Sequence, residues 1–179
     1  MKTSIPKKPA LPAPSPKSLP LIGNSALIEV AGIQSVPAKI DTGASYSSIW
    51  ASDIQMLPSG ELEFTLFAPK SPLYTGERLR TRRYRAVRVR NSTGQESIRY
   101  SVPLSALING KRIRVRFTLA DRHRNDFPVL IGRRTLKNKF LVDVSRLDVP
   151  YKSRIRDAKL TRELLNNPQK FHQKYIHKH

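Results

Sequence analysis

The clearest alternation of apolar and polar positions runs from Arg112 to Leu119. Ile113, Val115, Phe117 and Leu119 fall on one side, and Arg112, Arg114 and Arg116 on the other. A period of two belongs to a strand with one buried and one solvated face, so it predicts an antiparallel strand with a cationic outer surface. Leu62–Phe67 and Ser97–Val102 alternate in the same way. Leu27–Val30 and Val36–Ile40 are short apolar-rich runs on either side of a Gly-containing turn, and Tyr84–Arg90 is also strand-like. The punctuation agrees. Asn91-Ser-Thr-Gly94 separates Tyr84–Arg90 from Ser97–Val102, which predicts a hairpin. Asn109-Gly110 is a favoured two-residue hairpin turn. Pro128-Val-Leu-Ile-Gly132 predicts a buried strand ending in Gly. Helical periodicity is confined to Arg133–Lys139 and to Ile155–Asn166. In the latter, Ile155, Leu160, Leu164 and Leu165 lie roughly on one side, and Pro168 would stop the helix. The pattern predicts an all-β fold, a closed barrel or sandwich, with one short helix after Gly132 and a basic helical tail.

Length and composition add boundaries. The 179 residues suit one ordinary domain with tails. Six of the 14 prolines and four Lys, with no acid, fall in residues 1–20, which read as an extended, solvated tail. Residues 151–179 hold eight Lys and Arg against two acids and form a basic, partly helical appendage. The folded domain is expected over residues 21–150. Of the net charge of +20, the first tail carries +4, the second +6 and the centre +10. Such a chain attracts acidic partners, whether nucleic acid, anionic lipid or acidic polypeptide. The absence of Cys excludes disulfides, Cys-based zinc sites and thiol nucleophiles. Leu19–Glu29 is broken by Pro20, Asn24 and Glu29, and reads as strand rather than as the core of a signal peptide. No stretch reaches the ~20 apolar residues of a membrane span. A cytoplasmic protein is expected.

The candidate chemistry centres on Ala38-Lys39-Ile40-Asp41-Thr42-Gly43-Ala44. An Asp at the end of an apolar strand, inside a small-residue turn, is an unusual place for a charge. Asp-Thr-Gly is also simply a good turn sequence. Downstream stands Val129-Leu130-Ile131-Gly132-Arg133, with the predicted hairpin Tyr84–Val102 between the two. In that order these features resemble one lobe of a retropepsin-type aspartic protease, over about residues 22–146. Val36–Trp50, Arg88–Gly94, Phe117–Arg122 and Pro128–Asp143 further resemble a bacterial and archaeal family often labelled ATP-dependent zinc protease and viewed as retropepsin-like. Some of its relatives accompany ATP-grasp glutamate ligases, which hints at a glutamate-rich peptide substrate.

The resemblance implies a single-lobe closed barrel with a flap hairpin. It implies that Asp41, Thr42 and Gly43 form the catalytic turn and that Thr42 hydrogen-bonds across a two-fold axis. Gly43 would let the backbone come close at that axis. Ala44 and Ser45 after the turn, with Arg88, Arg90, Ser92, Thr93 and Gly94 of the flap, would contact substrate. Leu130, Ile131, Gly132 and Arg133 would support the site from beneath. Three departures bear on selectivity. Retroviral relatives usually have an acid where Ser45 stands, paired with an Arg like Arg133, so Arg133 is expected to use another acid, with Asp143 the candidate. The narrower family commonly has a basic residue in place of Ser45, Thr in place of Tyr46 and His in place of Trp50.

The chemistry of this class needs one ionised carboxylate to take a proton from water and one protonated carboxylate to polarise the peptide carbonyl. The chain has one Asp-Thr-Gly, and Asp53, Asp121, Asp126 and Asp143 lack its surroundings. A C2 homodimer, pairing Asp41 with its own copy, is therefore expected. There is no His-Glu-x-x-His, and three of the four His lie in the tail; there is no Gly-rich loop ending in Gly-Lys-Ser/Thr. No metal, ATP or other cofactor is expected.

Arg78, Arg80, Arg82, Arg83, Arg85, Arg88 and Arg90 crowd the approach to the flap. They are open to three readings: recognition of an acidic substrate, general attraction of acidic partners, or a solvated face. The main rival to a peptidase is a catalytically inactive basic module that docks on RNA, the ribosome or an acidic protein. Nonspecific nucleic-acid or ribosome contact through the tails stays open beside either reading. A membrane-surface role is weaker, because the tail helix has few apolar anchors.

Overall fold

The computed structural model describes residues 19–90, 94–149 and 152–176, with side chains of the last segment described from residue 158. Its strands are β1 (Leu21–Ile22), β2 (Ser25–Val30), β3 (Ile33–Asp41), β4 (Ser47–Met56), β5 (Leu62–Leu66), β6 (Arg78–Thr81), β7 (Arg85–Arg90), β8 (Glu96–Ile108), β9 (Lys111–Ala120), β10 (Val129–Gly132) and β11 (Leu141–Val142). The helices are α1 (Arg133–Leu136), α2 (Lys152–Asn166) and α3 (Pro168–Tyr175).

Six strands close on themselves in the order β10-β3-β2-β8-β9-β4, and β4 returns to β10. Closure leaves the ring, a mixed sheet with parallel pairs at β10–β3 and β9–β4, without an unpaired edge that could associate with another chain. Two tight hairpin turns set the registers. Ala31-Gly32 and Asn109-Gly110 have positive φ at both positions, as a turn matched to the right-handed strand twist requires. Val36, Ala38, Val102, Ala106, Val115, Phe117, Val129 and Ile131 point inward and are almost wholly buried. Each large apolar side chain so buried contributes roughly 1.5–3 kcal/mol. The β9 alternation holds from Arg112 to Phe117, and then Thr118 is buried as well. There β4 pairs parallel to β9 from Ser47 to Trp50, and Thr118 is bonded to it, its hydroxyl donating to Ser47 O.

Two arms leave the barrel. The first half of β8 extends beyond the ring and pairs with β7, Arg85 opposite Ser101 through Arg90 opposite Glu96. This is the expected hairpin. Its tip residues Asn91, Ser92 and Thr93 lie outside the described residues, and Gly94 follows with φ +84. The other arm is β5–β6, built onto the end of β4. The alternation in Leu62–Phe67 predicted a half-solvated strand, but every position of β5 is buried. Its polar residues are satisfied inside. Glu63 accepts from Arg80 (2.6 Å), Gln55 (2.7 Å) and Arg78 (2.9 Å), and Thr65 meets Ser52 and Asp53. β4 itself escaped the sequence pattern, because Ser47, Ser48 and Ser52 interrupt its apolar period.

The helices also differ from expectation. α1 is a single turn ending at Leu136, short of Lys139. Pro168 does end α2, but it also opens α3, with the Asn167 side chain accepting from Lys170 N at 3.0 Å. Proline suits the first helical turn, where its missing N–H has no partner to lose. Leu160, Leu164 and Leu165 are exposed, so these three side chains are not buried against the barrel, and the Ile155 side chain lies outside those described.

The three donors around Glu63, led by Arg80, hold its carboxyl down at about 2, below the usual carboxylate value of 4.5, against the opposing effect of burial. A depressed folded-state value stabilises the fold above about pH 4.5, and that contribution fades as pH falls toward 2. Glu63→Gln is therefore expected to unfold at lower urea concentration than wild type at pH 7, with the gap closing as pH is lowered through that window. A gap independent of pH would contradict this account.

Candidate active site

β3 ends at Asp41 and β4 begins at Ser47, and between them the chain makes a short loop. β10 lies directly between these two strands, parallel to β3 and antiparallel to β4. Gly132, at the end of β10, is in register with Asp41. The loop therefore passes over the last residue of β10. A Cβ at position 132 would stand 2.5 Å from the Tyr46 carbonyl oxygen and 2.9 Å from that of Ala44. Only glycine fits. Gly43 is also tight, since a Cβ there would meet Asp41 Oδ1 at 3.3 Å.

Hydrogen bonds pin the loop from below. Arg133 N donates to Ala44 O at 2.8 Å and Arg134 N to Ser45 O at 3.4 Å. Gly132 N donates to Ser47 Oγ at 3.0 Å, and that hydroxyl also meets Thr135 Oγ1 at 2.7 Å. The free N–H groups at the start of α1 thus bond to the loop rather than to a capping side chain. Thr118 Oγ1 donates to Ser47 O from the other side. Arg134 stacks over the Tyr46 ring at 4.3 Å.

On this support Asp41 is held by its own turn. Gly43 N and Ala44 N both donate to Oδ1 at 3.0 Å. Oδ2 faces Lys39 Nζ at 3.8 Å, and the Asp41 side chain keeps about a quarter of its surface in solvent. Lys39 and Asp41 lie two apart on β3, so they share the face opposite the buried Ala38 and Ile40. The carboxylate opens into a cleft of about 660 Å³, lined also by Arg90, Arg122, Asn125 and Phe127. A second cleft of about 380 Å³ runs from Ala44, Ser45 and Tyr46 to Arg88, Arg90 and Arg99. The flap arm and the Asp41 loop therefore face one another.

Asp41, Gly43, Ala44, Ser45, Arg88 and Arg90 accordingly come together around these clefts. Thr42 is exposed and hydrogen-bonds to nothing among the described residues, and Gly94 is exposed on the flap. Ser92 and Thr93 fall outside the described residues. Of the supporting segment, Ile131 and Gly132 are buried, while Leu130 points the other way and lines both clefts. Arg133 does not reach Asp143: its guanidinium donates to Ser45 Oγ at 2.7 Å. Asp143 instead accepts from Ser145 N and Oγ, which hold its carboxyl below the usual range. Ser45 thus takes the place of an acid as the partner of Arg133.

The Arg run divides by partner. Arg78 and Arg80 clamp Glu63, and Arg82 lies 3.9 Å from Glu61, so these three serve the β5–β6 arm. Arg88 and Arg90 reach Glu96 across the flap at 3.5 and 2.6 Å while still lining the clefts. Lys39, Arg99 and Arg122 were not foreseen as site residues. Lys39 could have been found from its spacing to Asp41. Arg99 and Arg122 carry no local signal.

A closed β-barrel with an Asp-Thr-Gly loop over an apolar-apolar-Gly strand, facing a flap hairpin, is a retropepsin-like domain. The chain belongs to the RimB-like family of retropepsin-like aspartic endopeptidases, whose family model matches residues 22–153. Among curated proteins it is 29% identical over 116 residues to a probable alpha-L-glutamate ligase of Desulfotalea psychrophila. It is 28% identical over 117 residues to another of Shewanella pealeana. These matches take in 63% and 64% of this chain but only 25% and 26% of the ligase-named proteins, so the chain spans about a quarter of their length. The fold is also that of a Legionella pneumophila protein of unknown function, with a TM-score of 0.57 at 22% identity, covering 72% of this chain and 96% of that one. Among the described residues, no helix is long and apolar enough to cross a membrane.

Gly132→Ala is expected to cost about 1–3 kcal/mol of stability, since the loop cannot yield without losing its bonds to α1. Denaturant unfolding measures it, and an unchanged midpoint would contradict the close approach. Ser47→Ala, which removes the buried acceptor for Gly132 N, is expected to cost a similar ~1–3 kcal/mol.

Proposed function

We propose that the protein is an aspartic endopeptidase that acts as a homodimer, with Asp41 from each subunit forming the catalytic pair. The observation that carries this reading is the presentation of Asp41. Its carboxylate is fixed by two backbone N–H groups, open to a cleft, and faced by a hairpin that can cover a bound peptide. Two such carboxylates brought together share one proton, because ionising both is costly. The ionised one takes a proton from water while the water oxygen bonds to the carbonyl carbon. The protonated one donates to the carbonyl oxygen, giving a neutral tetrahedral diol. The C–N bond then breaks, the nitrogen leaves with a proton, and the products are a carboxylic acid and an amine.

The dimer follows from the chemistry, since one chain supplies one carboxylate in this setting. The exposed Thr42 hydroxyl, with no hydrogen bond among the described residues, suits a contact across the axis. An acidic substrate is supported by the cations that ring the cleft: Lys39, Arg90 and Arg122 stand there with Asp41 and Asp126. The relatives' name, alpha-L-glutamate ligase, suggests glutamate as the acidic residue.

Asp41→Asn is expected to abolish cleavage of a glutamate-rich peptide, losing at least ~1000-fold in kcat/KM, with the fold retained by circular dichroism; equal cleavage by the variant would sink the mechanism. Sedimentation of wild type with substrate is expected to show a dimer.

A second reading has its own observation. On α2 and α3 every side chain described is exposed except the half-buried Glu163 and Phe171. The exposed set includes Lys159, Arg162, Lys170 and Lys174. Such a hairpin suits binding to nucleic acid. A module of that kind binds RNA with a salt-dependent affinity that Asp41→Asn does not change.

A further inference from the structure

We infer that Arg122 determines substrate specificity, holding a carboxylate of the peptide next to the scissile bond. The inference rests on the peptidase reading and adds to it the residue and the place of the anion.

Arg122 lies in the segment between β9 and β10. Its Nε donates to Phe127 O at 3.2 Å. That bond orients the guanidinium plane and leaves both Nη groups for another partner. No carboxylate of the described residues lies within ion-pair distance of it. Three acids of the domain have cationic partners. Glu63 has Arg78 and Arg80, Glu29 has Arg112, and Glu96 has Arg88 and Arg90. Arg99, half-buried on the cleft beneath the flap, bonds only to the Ser97 hydroxyl among the described residues. Arg122 is half-buried and borders both the Asp41 cleft and the cleft beneath the flap. Burial first, and the neighbouring Arg99 second, lower its pKa to about 10, with Asp41 acting weakly the other way. A desolvated cation without a counter-ion is costly, and an anion entering the cleft relieves that cost.

Asp41 does not serve as that anion. Its Oδ1 is taken by Gly43 N and Ala44 N, and its Oδ2 faces Lys39. The guanidinium fork is matched to a carboxylate, which it binds through two parallel hydrogen bonds. Because Arg122 shares a cleft with Asp41, the carboxylate it holds belongs to a residue close to the cleaved bond. Two sources share this chemistry: an acidic side chain and the free carboxyl end of the peptide. The second would make cleavage proceed from the C-terminus.

The test is a coupling experiment on the full-length protein. A glutamate-rich peptide is varied by changing each Glu in turn to Gln, and by replacing its C-terminal acid with an amide. Values of kcat and KM are measured for wild type, Arg122→Gln and Arg122→Lys. One peptide change is expected to cost wild type ~10- to 100-fold in kcat/KM and to cost Arg122→Gln nothing further. Arg122→Lys is expected to retain part of the discrimination, and every other peptide change is expected to affect all three proteins alike. If the sensitive change is a Glu, the anion is a side chain; if it is the amide, the anion is the terminus. A variant that keeps the full wild-type discrimination overturns the inference. So does one that loses the Glu and Gln peptides equally, which marks a structural role. The same peptides are also titrated onto Asp41→Asn, with and without Arg122→Gln, by fluorescence anisotropy. If wild type cleaves no peptide but the binding series shows the coupling, the peptidase reading fails and only the assignment of Arg122 as the carboxylate-binding residue stands. Absence of coupling in both series rejects Arg122.

Discussion

The close passage of the Asp41 loop over Gly132 is the contact on which the rest of the site depends. β10 is threaded between the two strands that the loop connects, so loop and strand must cross with no side chain between them. That crossing brings the first N–H groups of α1 up to the carbonyls of Ala44 and Ser45. It also places Ser47 where its hydroxyl can serve both Gly132 and Thr135. The Asp41 turn is thereby held from below by covalently distant parts of the chain. Its own short bonds from Gly43 and Ala44 then need only aim the carboxylate.

The barrel and the crossing explain each other. Closing the ring requires β10 to pair on both sides, and pairing on both sides carries the loop across its end. The flap arises from the same economy of chain. β8 is long enough to serve the barrel with its second half and to carry β7 with its first. It can therefore project over the loop without a separate anchor. Tyr84 and Tyr100 meet edge to face at its base, and Tyr84 donates to the Gly60 carbonyl, tying flap and β5–β6 arm together.

Charge on this protein does several jobs that net charge alone cannot separate. Arg78 and Arg80 are structural, since they neutralise the buried Glu63. Arg88 and Arg90 stitch the flap through Glu96 while bordering the clefts. Arg122 has no such partner among the described residues. Seven Arg in close succession looked like one feature, and five of them divide according to which acids the fold brings within reach. Arg133 followed the same logic. With Ser at position 45, its guanidinium settles on a hydroxyl instead of seeking Asp143.

Local pattern was sufficient for the elements whose causes are local. The β9 alternation, the Asn109-Gly110 turn, the β7–β8 hairpin and the Asp-Thr-Gly turn all arise from neighbours in sequence, so all could be read there. The Asp41 loop and Gly132 were legible as a pair because their spacing and order resemble a known family. What was not legible depended on long-range contacts. β5 alternates as though half-solvated, yet it is buried on both faces because β4 and β6 bring donors to Glu63 and Thr65. β4 shows no clean period because its serines are used for internal hydrogen bonds. Arg99 and Arg122 became site residues only when the barrel closed and brought them to the clefts beside Asp41. Periodicity records which face of a segment is apolar. Which charge finds a partner is decided by distances that exist only once the chain is folded.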